Sequence, residues 1–284
     1  MANFDQQAKS LISTLREDNQ SGATQLALRT LQGLADYLDA IKPDPETLSS
    51  LLTELRQARP SMVVIGNALE RLETRWGEAP VPSRTAILEV IRELEEAGDR
   101  IIQNAMSQIP AGAVIMTHSA SSLLVRLFHR LVADQYPFSV ICTQSGPGME
   151  GHQLAVTLNQ LKVPVTLITD AQMALFAPRA DLVITGCDAW LADGHFVNKS
   201  GTRLLALSAK EYAVPFWVLA DTFRDSRATC NSVRLEELPV SELRAPTGQW
   251  ITPRNIYFET IPEKLVTGKI SELGVSSFPA EPRR

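Results

Sequence analysis

The sequence predicts a mixed α/β protein: a helical N-terminal domain over residues 1–109, then a Rossmann-like parallel-sheet domain with a C-terminal tail over 110–284. Three observations carry this reading. Before residue 110, apolar residues recur every three or four positions, the period of a helix with one buried face. After Pro110, short apolar, β-branched runs alternate with helix-compatible stretches, the signature of a parallel sheet covered on both faces. The residues that close those runs are polar and often glycine, as expected at the carboxyl ends of parallel strands, where ligands bind.

In the N-terminal half, residues 4–16, 22–41, 45–57, 61–75 and 84–108 read as helices. The last carries the clearest stripe: Ile87, Val90, Ile91, Leu94, Ile101 and Ile102. Asp44-Pro45 and Arg59-Pro60 punctuate the pattern, with proline suited to a first helical position. Residues 77–83 form a loop by composition. In the C-terminal half, strands are expected at 113–116, 138–142, 163–168, 182–185 and 215–219, and helices at 120–133, 150–161, 171–177 and 201–212. From about residue 245, Pro246, Gly248, Pro253, Pro262 and Gly268 favour a tail that wraps a neighbour or the domain edge rather than another βα unit. Its last five or so residues are expected to be loose.

Composition excludes several classes. The 284 residues suit one large domain or two modest ones. Thirty-two acids against 27 bases leave a charge of −5, which argues against direct nucleic-acid binding, since that runs on a basic field. Cys142, Cys187 and Cys230 are odd in number and scattered, so neither a disulfide framework nor a metal site is expected. No apolar run approaches the ~18 residues of a membrane span, and the first residues lack the order of a signal peptide, so a cytoplasmic protein is expected.

The strand ends concentrate the candidate chemistry. They are Thr117-His118-Ser119, Thr143 through Gly148, Asp170, Gly186-Cys187-Asp188 and Asp221-Thr222. Asp188, ahead of Asn198-Lys199-Ser200-Gly201-Thr202, could bind a sugar hydroxyl or act as acid or base, and the helix start with its lysine could hold a phosphate. An exposed turn with a helix cap is the plainer alternative. Ser119 beside His118 is no triad signal, because adjacent side chains point apart. The only G-x-G-x-x-G, Gly146 to Gly151, follows the second strand and contains Pro147; no nicotinamide or other cofactor is expected.

Read in order, these segments resemble one superfamily. They are Ile115-Met116-Thr117-His118-Ser119, residues 163–170 and 180–186, Asn198-Lys199-Ser200-Gly201-Thr202 and residues 255–262, with Ser21-Gly22-Ala23 and Ala58-Arg59-Pro60-Ser61 upstream. That superfamily unites the alpha, beta and delta regulatory subunits of translation initiation factor 2B with methylthioribose-1-phosphate isomerase and archaeal ribose-1,5-bisphosphate isomerase. The resemblance covers most of the chain. It implies an interdomain pocket for a phosphorylated sugar or nucleotide, and a homodimer through the C-terminal domain. Phe196, Val197, Phe216, Trp217 and Phe223, near the sheet's later strands, exceed the apolar surface a lone sheet edge should expose, which supports that dimer.

The resemblance also assigns residues. Asp188 matches the isomerases' catalytic aspartate, and Ser119 stands where they carry a cysteine. Arg59 matches an arginine that holds phosphate, Gly22 and Ala23 match part of a phosphate loop whose arginine is Ser21 here, and Asn198 and Lys199 match the substrate-binding pair. In the loop after the second strand Gly146 replaces an arginine, and Glu150 replaces a glutamine. A thiol near pKa 8.5 exchanges protons at neutral pH far more readily than a serine hydroxyl, while losing an arginine and gaining a carboxylate both weaken an anion site. Three readings stand: a binder without thiol-dependent isomerase activity, an active aldose–ketose isomerase (an intramolecular oxidoreductase) using Asp188, or a subunit that only dimerises.

Overall fold

The computed structural model describes residues 4–18, 22–77, 83–235 and 237–279. Ser21, most of the 77–83 loop and the last five residues lie outside the described residues. The chain forms two compact units, Met1–Gly98 and Asp99–Arg284.

The first unit is helical: α1 (Gln6–Glu17), α2 (Ala23–Ile41), α3 (Pro45–Ala58), α4 (Val63–Gly77) and α5 (Arg84–Met106), the division between units falling inside α5. Asp5 caps α1 by accepting the Gln7 and Ala8 N–H groups at 2.8 and 2.9 Å, and its other oxygen accepts the Tyr37 hydroxyl of α2 at 2.8 Å. Asp44 caps α3 in the same manner, with Pro45 as the first helical residue. Pro60 departs from that expectation. It lies in a turn closed by Met62 N–H on Arg59 O at 3.0 Å, and α4 begins three residues later. The buried stripes are the ones the helical period marks: Leu51, Leu52 and Leu55 of α3, Ile65, Leu69 and Leu72 of α4, Ile87, Val90 and Leu94 of α5. Each such side chain contributes about 1.5–3 kcal/mol by leaving water.

The second unit is built on a seven-stranded sheet. In chain order its strands are β1 (Ala113–Thr117), β2 (Phe138–Thr143), β3 (Val165–Ile168), β4 (Leu182–Thr185), β7 (Phe216–Leu219), β9 (Gly268–Ser271) and β10 (Gly274–Ser277). They lie in the order β10-β9-β7-β4-β1-β2-β3, all parallel except the β9–β10 hairpin. A second, antiparallel sheet joins β5 (Ala189–Trp190), β6 (His195–Lys199) and β8 (Phe258–Pro262). Alternate strand residues feed two cores. Ile115, Val140, Ile184 and Leu219 pack with the end of α5, with α6 (Ser122–Ala133) and with α7 (Glu150–Gln160). Met116, Ile141, Val183 and Val218 pack with α8 (Met173–Phe176), α9 (Thr202–Glu211), Phe196 of β6 and Ile261 of β8.

The tail differs from its sequence reading. β8 completes the small sheet and β9 adds a parallel strand beside β7, so the tail extends the architecture at the sheet's edge. Two other expectations are corrected. Asn198 and Lys199 belong to β6, not to the helix start, which is Thr202. Phe196, Val197, Phe216, Trp217 and Phe223 are all buried, so they are core residues and lend nothing to a dimer surface.

At Gly151, a Cβ would lie 1.7 Å from the Thr143 carbonyl oxygen, so glycine lets the first turn of α7 press against the end of β2. Because backbone would have to move, Gly151→Ala is expected to lower stability by about 1–3 kcal/mol in urea unfolding.

Candidate functional site at the strand ends

The turns that follow β1 and β2 are held in an uncommon backbone conformation. Ser119, Ser145 and Met149 have φ of 65°, 60° and 59°, a left-handed region costing non-glycine residues of order 1–3 kcal/mol each. Hydrogen bonds fix it. Ser119 N–H donates to Ser145 Oγ at 2.7 Å, and the Asp170 carboxylate beyond β3 accepts the Ser145 and Gly146 N–H groups at 2.8 and 2.7 Å. The backbone donors in which an anion could have been cradled already hold a carboxylate of the chain itself.

His118 lies beneath these turns, 2% exposed. Its Nε2 is 2.8 Å from the Ser200 carbonyl, which can only accept, so Nε2 carries the proton. Nδ1 then accepts the Thr143 hydroxyl at 2.6 Å, and Thr143 Oγ1 meets Ser145 Oγ at 3.0 Å. Burial pulls the imidazole below its usual pKa of 6.5. Both ring nitrogens are thus engaged by other partners, and His118 is not poised as a base for Ser119. It ties β1, β2 and the β6–α9 turn into one polar network. Gly201 makes room for it, since a Cβ there would lie 2.7 Å from Nε2 and the residue sits at φ 108°.

The cation expected to hold phosphate is already partnered. Lys199 Nζ, 2% exposed along its side chain, donates to Glu150 Oε1 at 2.8 Å and lies 3.1 Å from the centre of the Tyr257 ring. The Tyr257 hydroxyl donates to the same Glu150 oxygen. Burial lowers the Lys199 pKa and the Glu150 carboxylate opposes that shift; burial, reinforced by Glu150, raises that of Tyr257. Gly148 admits the tyrosine, whose hydroxyl would sit 1.9 Å from a Cβ at that position. The start of α9 is also filled: Glu259 Oε1 accepts Gly201 N–H at 2.7 Å and Arg203 N–H at 2.9 Å. The Asn198 amide donates to Thr202 Oγ1 at 2.9 Å.

The structure therefore brings Ser119, Glu150, Asn198 and Lys199 into the strand-end network. Asp188 is half-buried beyond β4, its N–H donating to Val197 O at 2.9 Å beside Asn198. Arg59, Gly22 and Ala23 belong to the helical unit. There Arg59 follows α3 and donates to Asp18 O at 2.8 Å, while Gly22 and Ala23 open α2. Asp221, a strand-end candidate, is spent on a buried pair with Arg224, which also donates to Cys187 O at 2.6 Å, and the sequence assigns Arg224, Tyr257 and Glu259 no individual role at the site. Thr117 Oγ1, Thr185 Oγ1, Asp221 Oδ1 and Glu150 Oε2 are buried at the strand ends and α7 without a hydrogen-bond partner. That leftover capacity is hydroxyl and carboxylate, suited to hydrogen-bonding a hydroxyl group rather than an anion. Neither strand-end thiol is available in place of Ser119. Burial pushes Cys142 up to about 11 and Cys187 higher still.

The sequence model of the initiation factor 2 subunit family matches residues 19–277. The chain belongs to that family. A Pyrococcus furiosus protein named as like subunit 2 of translation initiation factor eIF-2B is 33% identical over 269 residues, covering 93% of this chain and 94% of its own. Ribose 1,5-bisphosphate isomerase of Archaeoglobus fulgidus is 31% identical, over 87% of this chain and 82% of its own. Among solved structures, the Pyrococcus horikoshii translation initiation factor eIF-2B superposes with a TM-score of 0.85 at 29% identity, covering 97% of this chain and 98% of that one. The family thus holds both initiation-factor-like proteins and sugar-phosphate isomerases, and the fold is shared. No helix among the described residues is long and apolar enough to cross a membrane.

Two outcomes follow from the network. Glu150→Gln leaves the buried Lys199 ammonium with a weaker partner and is expected to cost about 1–3 kcal/mol, less than a fully buried pair because Glu150 is partly exposed. Adding Lys199→Met should recover part of that loss, and a urea double-mutant cycle reads the coupling. For His118, the unfolded chain takes up a proton near pH 6.5 while the folded one resists until lower pH. Stability should therefore fall as pH drops below about 6.5, and His118→Gln should flatten that slope.

Proposed function

We propose that this protein binds a phosphorylated small molecule, a sugar phosphate or a nucleotide, and lacks the thiol-dependent isomerase activity of its isomerase relatives. One observation carries the reading: Ser119 stands at the cysteine position, on a turn whose nearby histidine is committed to Thr143 and Ser200. Asp188, Asn198 and Lys199 are assigned to the ligand's hydroxyl-bearing part. Glu150 masks the charge of Lys199, and Arg59 with the backbone of Gly22 and Ala23 is assigned to the phosphate. The protein is further proposed to be a cytoplasmic homodimer through its Rossmann-like unit. Leu204 and Leu175, 62% and 61% exposed on α9 and α8, support that assembly. Sedimentation showing only a monomer at micromolar concentration would reject it.

The second reading, an isomerase in which Asp188 works without the thiol, is favoured by the retained aspartate and by the 31% identity to a ribose 1,5-bisphosphate isomerase. Calorimetry with ribose 1,5-bisphosphate, methylthioribose 1-phosphate and nucleoside monophosphates, followed by product analysis, separates the readings. Binding without turnover is expected. Ser119→Ala should change affinity by less than about tenfold, since a hydroxyl contributes about 1 kcal/mol net, whereas Asp188→Asn and Arg59→Ala should weaken it more. Ser119→Cys alone should not create an efficient isomerase, because Gly146 and Glu150 remain. Robust isomerisation by the unmodified protein overturns the proposal, and no binding of any of these compounds reduces it to the purely structural reading.

A further inference from the structure

Away from the strand ends, the hairpin joining β5 to β6 turns at Gly194, φ 74°, with Leu191 N–H donating to His195 O at 2.8 Å. The loop that follows β7 is stitched to this hairpin. Ser226 N–H donates to Trp190 O at 2.7 Å, Ala192 N–H to Ala228 O at 3.0 Å, and Cys230 N–H to Asp193 Oδ2 at 2.8 Å. Ser232 N–H on Thr229 O, 3.0 Å, and Thr229 N–H on Ser232 Oγ, 2.8 Å, close the turn that presents Cys230. The backbone of Cys230 is thus tied to the hairpin through the Asp193 carboxylate, with backbone bonds fixing the loop on either side of it.

This stitching collects three different donors. One carboxylate oxygen of Asp193, one imidazole nitrogen of His195 and the sulfur of Cys230 all lie within 4.8 Å of one another, with Asp193 Oδ1 and His195 Nδ1 3.3 Å apart. We propose that Asp193, His195 and Cys230 form a binding site for a divalent transition metal of the zinc class. The argument is geometric and chemical. Ligands at about 2.0–2.3 Å from a tetrahedral ion stand roughly 3.3–3.8 Å from each other, so small side-chain rotations close the present spread onto an ion. A thiolate with an imidazole selects zinc, cobalt or copper over calcium and magnesium, which take oxygen donors. Three protein ligands leave the fourth position to water, and binding releases the Cys230 thiol proton. Cys230 and Asp193 are 37 residues apart, so no ligand spacing along the sequence announces the cluster. None of the three residues belongs to the strand-end network, and the site stands whether or not a phosphorylated ligand binds.

Cobalt(II) titration of the whole protein, its cysteines kept reduced by a phosphine, tests the proposal. The expected result is one equivalent bound, with a sulfur-to-cobalt charge-transfer band in the near ultraviolet that zinc bleaches. Cys230→Ser should abolish that band although Cys142 and Cys187 remain, and His195→Ala should weaken binding tenfold or more. Should a variant fail to fold, labelling of the wild-type Cys230 thiol by a disulfide reagent still decides, because one equivalent of zinc should protect it. Absence of binding at stoichiometric cobalt, a band that survives Cys230→Ser, or a thiol that zinc leaves unprotected overturns the site.

Discussion

The ion pair between Lys199 and Glu150 decides what the strand ends can do. A lysine at the end of β6 is only 2% exposed along its side chain, and a charge so placed must find a partner or lose its proton. Here the partner is a carboxylate from the first residue of α7, brought into reach because Gly151 lets that helix sit against β2. Tyr257 closes the arrangement from the tail, its ring against the ammonium and its hydroxyl on the same carboxylate oxygen. Three distant segments therefore meet on one charge.

The same solution recurs around the rim. Asp170 takes the backbone donors of the turn after β2, and Glu259 takes those at the start of α9. Each is a place where a bound anion would ordinarily be welcomed by free N–H groups. By filling them with its own carboxylates, the protein holds strained turns in place and lowers the attraction of this unit for phosphate. This is why the phosphate is assigned to Arg59 and the start of α2, and why Ser119, without a thiol or a free base beside it, is given no chemical step.

Much of the architecture was legible because its cause is local. Continuous apolar runs such as Leu182–Thr185 can only be interior strands, and Asp44-Pro45 starts a helix for reasons contained in four residues. The small sheet was not legible. β5 is two residues long, and β8 pairs with β6 from a proline-rich tail whose role exists only after folding. Burial is what the sequence hides at Phe196, Trp217 and Phe223: Phe196 and Trp217 fall in two separate cores, one on each face of the main sheet, and Phe223 is fully buried. At the site, the sequence identifies Glu150 and Lys199 separately. Their mutual neutralisation, and Tyr257 over both, depends on contacts up to 107 residues apart.

The most direct test of the central claim compares the affinity of the unmodified protein and of Glu150→Gln for ribose 1,5-bisphosphate by calorimetry at fixed ionic strength. If Glu150 masks the charge of Lys199, removing its negative charge frees a charge-assisted donor, and binding should tighten about tenfold or more. Equal or weaker binding by a folded Glu150→Gln protein would contradict the account.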